Sequence, residues 1–291
     1  MSWQITVAGT VHSDDIITPA GHRPQLLGGS AVYFALAGSR YAPVHLTGIV
    51  GRDLDSGFRA LLSSPRIHLD GLVVSGSPTF RWHVRHDFQL WAAVDTSSEE
   101  GCDPEWRPLL PPAARRAEVL FLGSMWPALQ SAVLSQSSAR LIGADSMTDY
   151  TGPHADAVRA VSRSSDILFL NRAELASLTV SDPSEWADAA RALCREDRLR
   201  AVVVKAGPSG AACVTRTDVV GREAAAVDTV VDPTGAGDAL AGGFLGACAA
   251  AEREDDRFFT TALEEGLRCA ALAIGAWGTS GLAAAGPPAA G

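Results

Sequence analysis

Residues 231–238 read VDPTGAGD and run directly into a helix-like segment rich in glycine and alanine. Gly235 and Gly237 let the backbone approach a ligand closely. The first N–H groups of a helix have no internal partners, and with the helix dipole they form an anion site. Asp238 would repel a phosphate bound there unless it met an attacking hydroxyl. The stretch therefore indicates either phosphoryl transfer with Asp238 as base, or a carboxylate that only caps the helix.

Other motifs that bind phosphate, hold metal or build a nucleophile are absent from the sequence. There is no GxxxxGK[ST] segment, the run GAGDAL does not fit GxGxxG, and neither HExxH nor GxSxG occurs. His83 and His86 lie three apart in a strand-like run, so they face opposite sides and make a poor metal pair. These absences exclude a Walker-type P-loop enzyme and disfavour a dinucleotide-binding protein.

The composition limits the class of protein further. The 291 residues carry a net charge of −9 without a basic cluster, so no nucleic-acid surface is expected. No apolar run reaches the roughly 18 residues of a membrane span, and the N-terminus, MSWQITVAG, lacks a signal-peptide pattern. The five cysteines form no CxxC pair, which indicates reduced thiols in a cytoplasmic protein.

Strand-like and helix-like segments alternate along most of the chain. The strand-like runs are 5–8, 44–50, 119–122, 141–144, 167–170 and 202–204. The helix-like segments are 30–40, 54–62, 155–162, 184–195, 237–251 and 258–276. The runs are mostly continuous in apolar residues, which is typical of strands buried on both faces. The alternation predicts an α/β fold with a mainly parallel sheet and a site at the carboxyl ends of its strands.

The segment 71–94 departs from this alternation, because it reads as β structure without an intervening helix. In its run 79–86, apolar and aromatic side chains alternate with arginine and histidine, so one face is partly covered and the other is wet. An accessory sheet or lid fits this pattern, and so does an edge of the main sheet. Residues 96–112 are polar and proline-rich and predict a loop, and residues 283–291 predict a flexible tail.

Five segments, found in the same order along the chain as in the family, resemble motifs of the PfkB/ribokinase family of sugar and nucleoside kinases. DPTGAGD with its glycine-rich helix is similar to the family's C-terminal signature. The other segments are 28–30 with 51–57 near the N-terminus, the NxxE motif at 171–174, and the nucleotide loop at 205–210. The resemblance implies one three-layer α/β/α domain over residues 1–282, with a small β lid formed by residues 10–27 and 71–94. It also implies ATP-dependent phosphorylation of a hydroxyl.

The resemblance assigns roles around the transferred phosphoryl group. Asp238 would take the proton of the substrate hydroxyl. The backbone N–H groups of Gly235, Ala236 and Gly237 would hold the phosphoryl group itself.

The resemblance also implies a nucleotide site. Asn171 and Glu174 would organise Mg²⁺ and the phosphates, the acid through water because Mg²⁺ dehydrates reluctantly. The same pair fits an ordinary helix start. Lys205 would meet phosphate as a point charge, or it would be a surface lysine at a strand end. Gly207 and Gly210 would belong to the nucleotide loop.

On the substrate side, the resemblance points to Asp14, since the family commonly has an acid there that binds sugar hydroxyls. A carboxylate accepts two hydroxyl hydrogen bonds at once, which suits a polyol, and the adjacent Asp15 is the alternative. Gly28 and Gly29 would let the backbone approach the sugar. The sequence departs from the family pattern at Tyr33, where the sugar kinases usually have Asn, so the usual pentose or hexose pose is not expected unchanged.

Two further features leave alternatives open. Phe80 and Trp82 in the lid could stack on a base or a sugar face, or they could form the core of the lid. Asp232, together with residues 275–280, is compatible with the monovalent cation site that some family members have, which would hold K⁺.

We therefore expect a cytoplasmic kinase that transfers the γ-phosphoryl group of ATP to a hydroxyl of a sugar or sugar-like molecule. A nucleoside kinase with the same machinery is the nearest alternative, and a non-catalytic sugar or nucleotide sensor is a more distant one. A sensor needs no transfer geometry, so the presence of Asp238, the GAG loop and Glu174 argues against it. The expected partners are small molecules, and a homodimer through the lids is left open.

Overall fold

The computed structural model describes residues 3–54, 56–88, 92–197, 199–251, 254–255 and 257–288. These residues form two sheets with flanking helices. The strands are β1 (Ile5–Ala8), β2 (His12–Thr18), β3 (Gly21–Gly28), β4 (Val44–Gly51), β5 (Ile67–Ser75), β6 (Arg81–Asp87), β7 (Ala92–Glu99), β8 (Val119–Leu122), β9 (Leu141–Asp145), β10 (Ile167–Asn171), β11 (Ala201–Lys205), β12 (Ala211–Val214) and β13 (Val219–Arg222). The helices are α1 (Ser30–Gly38), α2 (Ser56–Leu61), α3 (Pro112–Arg115), α4 (Pro127–Leu134), α5 (Thr148–Thr151), α6 (Ala155–Ser162), α7 (Arg172–Thr179), α8 (Trp186–Glu196), α9 (Ala236–Ala250), α10 (Phe258–Ile274) and α11 (Ser280–Ala284).

The larger sheet has nine strands in the order β13-β12-β11-β10-β9-β8-β1-β4-β5. Neighbouring strands from β11 to β5 are parallel, and β12 runs antiparallel to both of its neighbours. The central strands of this nine-stranded sheet are buried on both faces, since Phe121 and Phe169 belong to one core while Leu120 and Leu168 belong to the other. Burial on both faces explains the continuous apolar runs in the sequence.

Helices cover both faces of this sheet. Residues of α1, α9 and α10 share the first core with Phe121, and residues of α4, α6, α7 and α8 share the second with Leu120. The expected three-layer α/β/α arrangement around a mainly parallel sheet is confirmed.

The smaller sheet has four strands in the order β3-β2-β6-β7. It contains β2 and β3 from the expected lid segment 10–27. The segment 71–94 is divided, because residues 71–75 extend β5 at the edge of the nine-stranded sheet, where they pair in parallel with β4. The smaller sheet also continues to Glu99, into the stretch 96–112 that was expected to be a loop. An exposed edge strand and a lid strand have the same alternating pattern, so the sequence did not separate them.

Helix α11 ends at Ala284, residues 285–288 form neither helix nor strand, and residues 289–291 of the expected tail lie outside the described residues. All five cysteines are free and buried. In the described part of the chain, no helix has the length and apolar character needed to cross a membrane.

The parallel strands deliver side chains to one edge of the larger sheet. β9 ends at Asp145, β10 at Asn171 and β11 at Lys205. The Lys205 side chain reaches Gly237 in the first turn of α9. The carboxyl ends of the strands therefore meet the VDPTGAGD loop, as expected for an open α/β sheet.

Candidate active site

The loop 231–235 enters helix α9 through a left-handed glycine. Gly235 has φ 72° and directly precedes the helix. A Cβ atom at Gly235 would lie 2.3 Å from the ring of Tyr33, so no larger residue fits. The Ala236 N–H donates to the Pro233 carbonyl at 3.3 Å, whereas the N–H groups of Gly235 and Gly237 have no acceptor among the described residues. Those two groups are free to bind an anion.

Asp238 lies in the first turn of α9, beside these donors. Burial, reinforced by the negative charge of Asp145, raises the pKa of Asp238 to about 7, while Lys205 and His12 act in the opposite direction. A carboxyl group with a pKa near neutral pH has the proton affinity that general-base catalysis favours. The arrangement brings a donor pair for an anion and a base together at one helix start.

Lys205 and the buried Asp145 form a partly buried ion pair next to this helix start. The Lys205 Nζ lies 2.8 and 3.0 Å from the two oxygens of Asp145 and 4.0 Å from Glu174 Oε2. Burial alone would lower the pKa of Lys205, but the charges of Asp145 and Glu174 outweigh it and raise that pKa. Lys205 is thus neither free nor on the surface. Its charge is held in place where it faces Gly237.

The NxxE segment forms a capping box at the start of α7. The Glu174 N–H donates to Asn171 Oδ1 at 2.9 Å, and the Asn171 N–H donates to Glu174 Oε2 at 2.7 Å. Burial, together with the charge of Asp145, raises the pKa of Glu174, against the influence of Lys205. The helix-start interpretation is therefore correct as local structure. The same bonds also fix Glu174 beside Lys205, in the site.

The expected nucleotide loop follows β11 as a short 3₁₀ turn, Gly207–Ser209. Gly207 has φ 54° and Gly210 has φ 86°, and a Cβ atom at Gly210 would lie 2.0 Å from the Arg222 carbonyl oxygen. This second glycine lets the loop pack against the end of β13.

On the substrate side, Asp14 and Asp15 point in opposite directions. Asp14 is 1% exposed, and a Cβ atom at Gly28 would lie 1.8 Å from its Oδ2, so the carboxyl group occupies the space that this glycine leaves. Burial and the charge of Asp232 raise the pKa of Asp14 to about 7, with His12 opposing. Asp15 lies on the other face, paired with His22 and His83.

Gly29 and Tyr33 complete this side of the site. Gly29 has φ 96° and passes so close to Thr10 that a Cβ atom would lie 2.4 Å from its carbonyl oxygen. The Tyr33 ring packs flat on Gly235, and its hydroxyl is buried without a hydrogen-bond partner among the described residues. Burial, and the charges of Asp232, Asp14 and Asp238, raise the pKa of Tyr33 well above its ordinary value. Tyr33 is thus close enough to Asp14, Asp232 and Asp238 for their charges to act on its hydroxyl.

Asp232 ties the loop to the C-terminal turn. It is fully buried; its Oδ1 accepts the Thr234 N–H at 3.0 Å, and its Oδ2 accepts the Gly278 N–H at 2.9 Å. Each carboxylate oxygen therefore already has one donor.

The four-stranded sheet touches the loop through a histidine. The Nε2 atom of His86 lies 2.9 Å from Thr234 Oγ1, one residue before Gly235. Trp82 packs edge-on against His86, with ring centroids 6.4 Å apart, and Phe80 stacks on His12 with centroids 4.2 Å apart. Both aromatic rings thus pack against histidines of the same sheet.

The sequence interpretation overlooked three side chains of this region. Asp145 follows directly after the strand-like run 141–144, and the rule that sites lie beyond the carboxyl ends of strands would have found it. His12 shares a face of β2 with Asp14 two residues later, so alternation along the strand would have found it. Asp103 had no local signal, because it reaches the site only through the fold.

The residues present suit a nucleotide bound with Mg²⁺. In the described ranges, no cluster of three or more His, Cys, Asp or Glu side chains could hold a metal ion alone. Mg²⁺ usually takes one or two carboxylates and completes its shell with water and phosphate oxygens. Glu174 and Asp145 beside Lys205, with two unpartnered N–H groups at the helix start, match that requirement.

Comparison with known proteins places this site in a family context. The chain is 28% identical over 253 residues to a cytidine kinase from Thermococcus kodakarensis, covering 83% of this chain and 87% of that protein. Among solved structures, it resembles a nucleoside kinase from Methanocaldococcus jannaschii (TM-score 0.74, 19% identity, 94% of this chain and 92% of that one). It also resembles Arabidopsis thaliana ribokinase complexed with ribose and ATP (TM-score 0.76, 20% identity, 96% and 94%).

The family itself is shown by a match over more than half of the chain. Residues 105–284 fit the profile of the pfkB family carbohydrate kinases. This range includes the NxxE segment, the nucleotide loop and the GAG loop with Asp238. The chain belongs to the pfkB family of carbohydrate kinases.

Proposed function

We propose that this protein transfers the γ-phosphoryl group of ATP to a hydroxyl of a sugar or a sugar-bearing small molecule, with Asp238 as the base. The observation that carries the proposal is the position of Asp238. Its half-buried carboxyl group, whose pKa desolvation raises to about 7, lies in the first helical turn beside the N–H groups of Gly235 and Gly237, which have no acceptor among the described residues.

The transfer follows from what these groups can accept and donate. Asp238 takes the proton of the substrate hydroxyl while the hydroxyl oxygen forms the new bond to phosphorus. The bond between that phosphorus and the leaving ADP oxygen breaks in the same displacement. The N–H groups of Gly235 and Gly237 stabilise the negative charge on the transferred group. The Ala236 N–H already has an acceptor in Pro233, so it is a secondary contributor.

Lys205, Asn171, Glu174 and Asp145 would hold the nucleotide and its metal ion. Bound Mg²⁺ supplies positive charge that neutralises the phosphates. Lys205 adds a fixed cation close to the helix start, and the capping box holds Glu174 in place. Gly207 and Gly210 shape the loop that would follow the nucleotide.

Asp14, Gly28, Gly29 and Tyr33 would form the substrate face. Asp14 accepts hydrogen bonds from sugar hydroxyls, and the Tyr33 hydroxyl, which has no hydrogen-bond partner among the described residues, donates to the substrate. Each carboxylate oxygen of Asp232 already accepts one N–H. In a K⁺ site, Asp232 would therefore need other oxygen ligands beside it. Turnover measured in K⁺, Na⁺ and choline salts tests that site.

Replacing Asp238 by Asn tests the proposal. We expect kcat to fall by on the order of 10²–10⁴, the usual size of general-base loss. The Kd for ATP should stay the same or fall, because a negative charge leaves the phosphate site. The Tm should not fall, because burial raises the pKa of Asp238 to about 7 and Asn removes a carboxyl charge that the folded state disfavours.

Asp156, an exposed acid in the first turn of α6, provides the matched control. Asp156→Asn should leave kcat unchanged. A normal kcat in Asp238→Asn would end the proposed mechanism. A wild-type protein that binds ligands without releasing ADP would instead be a sensor.

A nucleoside is the second candidate substrate, favoured by the 28% identity to a cytidine kinase. ADP release measured with free sugars and with nucleosides separates the two classes.

A further inference from the structure

The four-stranded sheet is hydrogen-bonded to the loop 231–235 near both ends of that loop. The Thr18 hydroxyl of β2 donates to the Val231 carbonyl oxygen at 2.8 Å, and His86 Nε2 of β6 lies 2.9 Å from Thr234 Oγ1. These contacts join residues 213 and 148 positions apart in the sequence. The position of the loop therefore depends on where the four-stranded sheet lies.

The contact with His86 is the one next to the anion-binding groups. Thr234 directly precedes Gly235, and the Gly235 N–H lies in the rigid peptide plane that joins the two residues. The Thr234 N–H donates to Asp232 Oδ1 at 3.0 Å, and the Thr234 hydroxyl is bonded to His86. Thr234 is thus fixed through its backbone and through its side chain, which sets the direction of the Gly235 N–H.

The main body of the protein holds the other end of the same loop. The Val231 N–H donates to the Ile274 carbonyl oxygen at 2.8 Å, and the Gly278 N–H donates to Asp232 Oδ2 at 2.9 Å. These bonds tie the start of the loop to the C-terminal helices. The side chain of Thr234, at the end of the loop, is instead held from the four-stranded sheet.

Packing keeps the His86 ring in place. Trp82 lies on the same face of β6 and packs edge-on against it, with 6.4 Å between ring centroids and 79° between planes. Val84, between them on that face, is 3% exposed. Burial lowers the pKa of His86, against the charge of Asp232. A neutral imidazole has one donor and one acceptor nitrogen, so Nε2 can bond to a hydroxyl in either sense.

We propose that His86 is a positioning residue for phosphoryl transfer, which holds Thr234 so that the Gly235 N–H points at the transferred group. This inference rests on the proposed kinase function. His86 acts on the reaction only through Thr234. It also makes the anion site dependent on the four-stranded sheet being in place, so that full activity requires both sheets in their bonded arrangement.

Removing either partner of this bond tests the proposal. His86→Phe keeps a ring beside Trp82 but loses the nitrogen, and Thr234→Val keeps the branched shape but loses the hydroxyl. In each variant we expect kcat to fall by about 10–10²-fold, the size of effect that a small misplacement of a reacting group produces. KM for ATP and for the acceptor should change little, because the side chains that would bind them are still present.

Conservative replacements and a double variant separate positioning from a general loss of structure. The amide nitrogen of Gln can take the place of Nε2, so His86→Gln should recover most of kcat, as should Thr234→Ser. The double variant of His86→Phe and Thr234→Val should lose no more kcat than the slower single variant, because one bond is removed in all three.

His83→Phe is the matched control. It makes the same substitution in the same strand, but His83 lies on the opposite face, where it pairs with Asp15 and Glu99. Its kcat should equal that of the wild type. If His86→Phe does not fold, the comparison of Thr234→Val with Thr234→Ser provides the test.

The positioning role would be overturned by wild-type kcat in both His86→Phe and Thr234→Val, by losses that add in the double variant, or by an equal loss in His83→Phe. A His86→Gln variant as slow as His86→Phe would overturn it too. If Asp238→Asn were inactive in any of these cases, the kinase mechanism would stand without this role. An active Asp238→Asn variant would overturn the mechanism itself.

Discussion

The phosphate side and the substrate side of the site differ in how their polar groups are satisfied. On the phosphate side, Lys205 is paired with Asp145, and Asn171 and Glu174 exchange two hydrogen bonds. On the substrate side, the Tyr33 hydroxyl and atoms of His12, Asp14 and Asp103 have no partner within the described residues. The charged side chains of the phosphate side pair with one another, and the ligand contacts left there are backbone N–H groups of Gly235 and Gly237. On the substrate side, the side chains themselves lack the donors and acceptors that a ligand would supply.

This difference predicts that the two sides of the site contribute differently to folding stability and to substrate binding. Groups on the phosphate side hold each other in place, so removing one should cost folding free energy as well as activity. Groups on the substrate side are buried without compensation, which makes the folded state less stable than it could be. Removing one should therefore weaken substrate binding while leaving stability equal or higher, the trade-off that functional sites commonly show.

The largest expected effect is on the phosphate side, in the variant Lys205→Met. It leaves the buried carboxyl groups of Asp145 and Glu174 without their cation, and breaking a buried pair in this way costs about 3–5 kcal/mol. Denaturant unfolding measures the loss. Arg191→Met removes an exposed pair with Asp188 at 2.7 Å and should cost less than about 1 kcal/mol. Equal losses in the two variants would show that the phosphate side is not held together by this pair.

A smaller effect of opposite sign is expected from Asp14→Asn on the substrate side. The pKa of Asp14 is raised by burial from 3.8 to about 7. The folded protein therefore holds a proton that the unfolded chain has lost between about pH 4 and pH 7, and stability falls as pH rises through that window. Asn carries no such charge. At pH 8, the free energy of unfolding of Asp14→Asn should therefore exceed that of the wild type by roughly 2 kcal/mol.

The same two proteins should agree below about pH 3, where Asp14 is protonated in both states. Unfolding curves at about pH 3, 5 and 8 provide the measurement. A difference that does not depend on pH would mean that the carboxyl charge is not what destabilises the substrate side.

Elements with strong local patterns could be predicted from the sequence. The strand-like runs at 5–8 and 119–122 match β1 and β8 residue for residue, because both are buried on two faces. The lid was harder. Residues 71–75 went to the main sheet and residues 81–87 to the smaller one, and the choice depends on which distant strand each pairs with, which alternation along one segment does not encode.

The site residues also fall into two groups: those in a local sequence motif, and those that only the fold brings together. The GAG loop with Asp238 is a contiguous motif, so its residue types and spacing pointed to its chemistry. The His12–Asp103 neighbourhood joins residues 91 positions apart, brought together by the smaller sheet and the turn that follows it. Such a contact leaves no local signal, and the structure was needed to find it.

The smallest expected effect comes from a comparison of two tyrosines. It is also the most direct test of the contrast between hydrogen-bonded and unpartnered groups. The Tyr33 hydroxyl is buried and has no hydrogen-bond partner in the part of the chain that the structure describes, whereas the Tyr41 hydroxyl donates to Glu265 Oε2 at 2.7 Å. Removing a bonded hydroxyl costs about 1–2 kcal/mol, and removing an unpartnered one costs nothing or stabilises. Tyr41→Phe should therefore lower the free energy of unfolding, while Tyr33→Phe should leave it unchanged or raise it by up to about 1 kcal/mol. Enzyme assays should show the reverse order, with KM for the phosphoryl acceptor raised in Tyr33→Phe and unchanged in Tyr41→Phe. A loss of stability in Tyr33→Phe as large as that in Tyr41→Phe would mean that the Tyr33 hydroxyl has a partner in the protein, and that its role is structural.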